Sequence, residues 1–177
     1  MTIPLSLELL LTVMVVLAAC NDLLSRRIPN RLLLVCGVGA VGLHLAGPAP
    51  ASALLQALGG AATGFAVFLP LYVLRGMAAG DVKLMAATGL FLSAGEVFWL
   101  AVLTVCAGGV MALVVVLWKR RWRDAGTNVL SLLRPLWMGL AGARLAAEPL
   151  PKPSVGNLPY GLAIASATLF SLAQRHC

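Results

Sequence analysis

Long apolar runs, broken by short charged or turn-forming stretches, make up this chain of 177 residues. The runs predict helices over about 4–24, 31–47, 53–74, 81–94, 97–118 and 157–174. Between them lie Arg26 to Asn30, Gly47-Pro48-Ala49-Pro50, Arg75 to Gly80, Ser93 to Glu96, and a long stretch over 119–156. A helix needs roughly 20 apolar residues to cross a hydrocarbon core about 30 Å thick. The pattern therefore predicts an all-α, polytopic membrane protein with about six transmembrane helices, forming one integral membrane domain over residues 1–177. It shows no internal repeat and none of the paired broken segments of an inverted-repeat transporter.

Composition removes the soluble alternative. The chain is 60% hydrophobic and 11% charged, against roughly 25% charged residues in a soluble domain. Its net charge of +7 could point to nucleic acid, but the basic residues are confined to the breaks. Arg26, Arg27, Arg31, Arg75, Lys83, Lys119, Arg120, Arg121, Arg123, Arg134, Arg144 and Lys152 flank or follow the first, third and fifth helices; only Arg175 falls on the other side. The positive-inside rule then puts both termini outside and places Asp22 and Asp81 together on the cytoplasmic side. Glu8 and Glu96 lie on the outer side. Within 119–156, Lys119-Arg120-Arg121-Trp122-Arg123 suits anionic lipid headgroups, and the apolar run from Pro135 to Ala143 is too short to span. A short cytoplasmic interfacial segment between helices 5 and 6 is expected, with membrane lipid as its partner and no nucleic acid.

Two other readings are set aside. Leu17-Ala18-Ala19-Cys20 has the small-residue pattern of a lipoprotein cleavage site, but residues 1–21 carry Glu8 and no Lys or Arg. A signal peptide begins with positive charge, so the segment is expected to stay as the first helix. The four cysteines, Cys20, Cys36, Cys106 and Cys177, form no C-x-x-C pair, and neither a disulfide framework nor a metal site is expected.

Asp22 and Asp81 carry the candidate chemistry, because an ionisable group at membrane depth is expensive and marks function by default. Asp22 precedes Arg26 by four residues, about 6 Å of helix, so it lies just on the apolar side of the boundary. Asp81 follows the small-residue loop Gly76 to Gly80 and opens a helix short enough to start below the membrane surface. The two are expected to meet at similar depth. Close carboxylates resist simultaneous ionisation, so the pair is expected to share one proton. A helix N-terminus favours ionised Asp81 and a helix C-terminus disfavours ionised Asp22, which assigns the proton to Asp22. Such a pair can activate water with one member and protonate a carbonyl or leaving amine with the other.

The remaining features receive plainer readings. Lys83 is a snorkelling anchor in preference to a ligand for an acidic substrate residue. Arg26 and Arg27 set topology. His44, near the outer end of the second helix, is an interfacial residue. Gly37, Gly39, Gly42, Gly59, Gly60 and Gly64 form small-residue packing surfaces.

Asp22 followed by Arg26-Arg27-Ile28-Pro29-Asn30 resembles the first motif of the type IV prepilin peptidase family, an aspartate followed by I-P-N. Gly76-Met77-Ala78-Ala79-Gly80-Asp81-Val82-Lys83-Leu84 is similar to its second motif, G-M-G-x-G-D-V-K-L. Leu158-Pro159-Tyr160-Gly161 is similar to a third, weaker element. The resemblance implies a membrane aspartic protease of the bacterial inner membrane that removes leader peptides from prepilin or pseudopilin precursors at the cytoplasmic face. Asp22 and Asp81 would be its catalytic pair, with Pro29, Asn30, Gly76, Gly80 and Lys83 supporting the loops or the substrate. It implies no metal or organic cofactor, and an association with pilus-assembly machinery. Two departures stand out. Ala78 replaces the first Gly of G-x-G-D, and the chain lacks the cysteine-rich soluble loop of the larger members. It is similar to the short form linked to tight-adherence or Flp pili, which implies cleavage without N-methylation. The same carboxylate pair would also serve a small proton- or cation-coupled transporter, or a silent assembly factor could retain it.

Overall fold

A computed structural model describes residues 4–74, 76–119 and 159–176, and these form six α-helices. They are α1 (Leu5–Ser25), α2 (Asn30–Leu45), α3 (Pro50–Val73), α4 (Ala79–Gly89), α5 (Ala94–Lys119) and α6 (Tyr160–His176). The expected interfacial segment falls on residues outside the described ones. Contacts divide the chain into two compact units, residues 1–108 with 159–177, and residues 109–158. The first unit holds α1 to α4, α6 and the first half of α5; of the second, only the last turns of α5 are described.

Three helices, α1, α3 and α5, are long and apolar enough to cross a membrane, and α2 is a shorter apolar helix. Their surfaces explain why the chain is so greasy. Along α1 the buried stripe is Leu7, Glu8, Leu11, Met14, Val15, Ala18, Ala19 and Asp22, the three-and-four spacing of one helical face. The opposite face, with Leu5, Leu9, Val13, Val16 and Leu17, is exposed and equally apolar. An outer surface of that kind belongs in lipid, where no hydrophobic penalty attaches to it.

Helix α4 is the short one. Its 11 residues reach only about 16 Å, and seven of them are buried, from Asp81 and Val82 through Met85 to Gly89. It packs against α1, α2, α3 and α6, most extensively against α3. That closeness depends on glycine: a Cβ on Gly60 would strike the carbonyl oxygens of Gly89 and Leu92, and one on Gly64 would come within 2.7 Å of the Met85 carbonyl oxygen. Gly42, by contrast, has open space around it. The packing role expected of the glycines thus concentrates on the α3–α4 crossing.

The sequence pattern carries the fourth helix to about residue 94, whereas α4 ends at Gly89 and α5 begins at Ala94. The reason is local. Ser93-Ala94-Gly95-Glu96 forms a cap in which the Ser93 N–H and Oγ–H both donate to Glu96 Oε2, at 2.8 and 2.7 Å. At the end of α4, His44 Nε2 donates to the Leu90 carbonyl oxygen at 2.9 Å. His44 therefore pins α2 to the C-terminus of α4, more than the interfacial role expected of it.

Candidate functional site

Asp22 closes the buried stripe of α1, one turn before the helix ends. The end is fixed by Arg26, whose backbone is left-handed (φ 54°, ψ 30°) and whose N–H donates to the Asp22 carbonyl oxygen at 3.0 Å. Among the described residues it is the one non-glycine with positive φ, a conformation that costs a non-glycine residue about 1–2 kcal/mol. Pro29 then holds Ile28 away from helical geometry and serves as the N-cap of α2, accepting the Leu32 N–H at 3.1 Å.

Asp81 occupies the first turn of α4. Its Oδ2 accepts the N–H of Ala78, the cap residue, at 3.1 Å. Ala78 itself is extended (φ −82°, ψ 153°), a backbone open to any residue. The alanine in place of the motif's glycine therefore costs this loop no strain. Gly80 lies against Ile28, where a Cβ would make ordinary contact at 3.7 Å, so the two motif loops meet. Lys83 Nζ donates to Asn30 Oδ1 at 3.4 Å and joins the same loops on their exposed side. Gly76 sits apart from these contacts and closes the end of α3, its N–H donating to the Leu71 carbonyl oxygen at 2.8 Å.

The two carboxylates are buried, with 8% of Asp22 and 5% of Asp81 exposed, and their charges act on each other. In a low-dielectric interior that exposure decides the chemistry, because each charge needs a specific partner. Asp22 finds one that the motif pair does not contain: Gly161 in the first turn of α6 donates its N–H to Asp22 Oδ2 at 2.9 Å. A Cβ on Gly161 would lie 2.8 Å from that oxygen and 2.9 Å from the Asp22 Cβ. Tyr160, its half-buried neighbour, packs over Gly108 of α5.

Both carboxylates thus face the N-terminal turn of a helix, Asp81 in its own and Asp22 in α6. The helix-end asymmetry expected to place the proton on Asp22 is largely removed, because α6 supplies the dipole that α1 withholds. Sequence reasoning singled out Leu158-Pro159-Tyr160-Gly161 without giving it a role at the site. The missing signal was long-range, 139 residues separating Gly161 from Asp22. Among the described residues no cluster of three or more His, Cys, Asp or Glu side chains could hold a metal. A cavity of about 470 Å³ lies elsewhere, lined by His44, Gln56, Leu92, Ser93 and Glu96 among others, and neither aspartate borders it.

The profile of the type IV leader peptidase family matches residues 9–115, more than half of the chain and both aspartates. The chain belongs to the type IV leader peptidase family. Neither curated proteins nor solved structures gave a match.

Proposed function

We propose that this type IV leader peptidase family member is a membrane-embedded aspartic endopeptidase with Asp22 and Asp81 as its catalytic pair. Its substrates are type IV pilin-like precursors of the tight-adherence or Flp kind, cut at the cytoplasmic face of the bacterial inner membrane. Residues 1–177 act as one membrane domain with six passes and both termini outside, the short α4 starting below the membrane surface. The enzyme cleaves without N-methylating its product and uses no cofactor.

The observation that supports this reading is that Asp22 and Asp81, on the touching helices α1 and α4, are both buried and near enough for their charges to interact. With one proton between them, the ionised carboxylate removes a proton from water as its oxygen adds to the scissile carbonyl carbon. The protonated carboxylate gives its proton to the carbonyl oxygen. The tetrahedral adduct then collapses: the C–N bond breaks, the amine takes the proton gained from water, and the adduct returns one hydroxyl proton to the second carboxylate. Leader and mature chain are released and the pair again holds one proton. Water and one peptide bond are consumed, and nothing else is required.

The test is leader cleavage by detergent-purified protein, read as a mass shift of a pilin precursor. The reading requires cleavage by the native chain and its loss in both Asp22→Asn and Asp81→Asn. Ion flux without cleavage would replace the peptidase with a transporter.

A further inference from the structure

A buried carboxylate that must abstract or carry a proton needs more than a neighbour; it needs a fixed orientation. The two aspartates achieve this in parallel. Each uses one oxygen, Oδ2, to accept a backbone N–H, from Ala78 at Asp81 and from Gly161 at Asp22. In each case Oδ1 is the oxygen left for the reaction. The Asp81 donor lies three residues away in the same loop, so the second motif carries its own support. The Asp22 donor comes from the far end of the chain, outside the residues that match the family profile.

We propose that Gly161 is a positioning residue for Asp22, making the first turn of α6 a third wall of the catalytic site. The inference rests on the reading of Asp22 and Asp81 as the catalytic pair. Glycine is required for a steric reason: the carboxylate approaches the backbone so closely that a Cβ would lie within 3.1 Å of three Asp22 side-chain atoms. The donor is also held in place. Tyr160 packs over Gly108 beside it, and the other end of α6 is tied down by Arg175 to Glu96 of α5 and by His176 to Glu8 of α1. The spacing matches, since α1 and α6 run antiparallel and are joined at both ends by Asp22–Gly161 and Glu8–His176. An amide clamped in this way cannot follow the carboxylate if it moves, so it fixes where Oδ1 points.

Two variants separate the donor from the space around it. Replacing Gly161 by glycolic acid turns the amide into an ester and deletes the N–H without adding an atom. Gly161→Ala keeps the N–H but pushes the carboxylate away. Hydrogen bonds to charged groups imply a kcat loss of about tenfold or more for the ester, and a displacement of about 1 Å implies about a hundredfold for Gly161→Ala. KM should stay within about twofold in both, because neither change touches the substrate. Wild-type kcat in the ester variant overturns the positioning role and leaves the peptidase reading standing. A rise in KM at unchanged kcat also overturns it, by making Gly161 a substrate contact. Cleavage by Asp22→Asn at the wild-type rate overturns both together. The ester keeps the shape of the chain, so it decides the matter even where Gly161→Ala fails to fold.

Discussion

The first compact unit carries two pairs of acidic residues, one toward each end of α1, and it treats them in opposite ways. Glu8 and Glu96 are matched with basic side chains: His176 Nε2 donates to Glu8 Oε2 at 3.0 Å, and the Arg175 guanidinium pairs with Glu96. Glu96 additionally caps α5 through Ser93. Asp22 and Asp81 instead accept hydrogen bonds from backbone amides, Gly161 and Ala78. The difference is chemical. A carboxylate neutralised by a guanidinium is locked as an ion and works as a strut. A carboxylate held by a neutral N–H is satisfied for burial yet still free to gain or lose a proton. One end of the fold thus ties its carboxylates to basic side chains and the other to neutral amides, the arrangement the proposed proton transfer needs, although both begin as acidic residues in an apolar chain.

Loss of a proton-transfer carboxylate should have the largest effect. Asp22→Asn or Asp81→Asn should lower kcat for leader cleavage by at least about a thousandfold. The amide oxygen of Asn can still accept the Gly161 or Ala78 N–H, so the thermal unfolding midpoint should change little. Equal loss of activity in Glu8→Gln would erase the contrast between the ends.

The α3–α4 crossing comes next, because it seats Asp81. Gly60→Ala or Gly89→Ala adds a methyl group where backbone meets backbone, and should cost about 2–3 kcal/mol of stability. Thermal unfolding in detergent checks this, and activity should fall with it. Gly42→Ala, on an open surface, should leave both unchanged.

At the strut end, Glu96→Ala removes a cap and an ion pair together. The expected cost is about 1–2 kcal/mol, seen as a fall of a few degrees in the unfolding midpoint. The kcat measured below that midpoint should stay near wild type. A selective loss of kcat would show that the strut also tunes the catalytic end.

The smallest effect belongs to the exposed contact between Lys83 and Asn30. Lys83→Ala should change stability by less than about 0.5 kcal/mol. If it raises KM severalfold at that stability, Lys83 moves from anchor to substrate contact.

Much of this molecule is legible in its sequence. The helices appear within a few residues of their predicted bounds, because apolar runs and Gly/Pro breaks are local signals. The ends of α4 and the start of α5 are less legible, since Ser93 to Glu96 reads as a break until the two hydrogen bonds from Ser93 to the Glu96 carboxylate make it a cap. At the site, the two motifs mark Asp22 and Asp81 and bring Asn30 and Lys83 with them. In the sequence Gly161 belongs only to a weak motif, and His44 reads as an interfacial residue. Both act through contacts 46 or more residues away, which no local pattern encodes.

The sequence by itself determined that the chain is helical and apolar, where its helices lie, and that two aspartates stand beside charged turns. Only the tertiary structure decided which face of each helix is buried. In a chain whose lipid-facing and core-facing surfaces are equally apolar, hydrophobic periodicity carries almost no signal for the inner face. The fold also decided which acidic residues meet basic side chains and which meet backbone amides. That choice depends on partners delivered by α6, which packs antiparallel against α1 and reaches Glu8 with one end and Asp22 with the other.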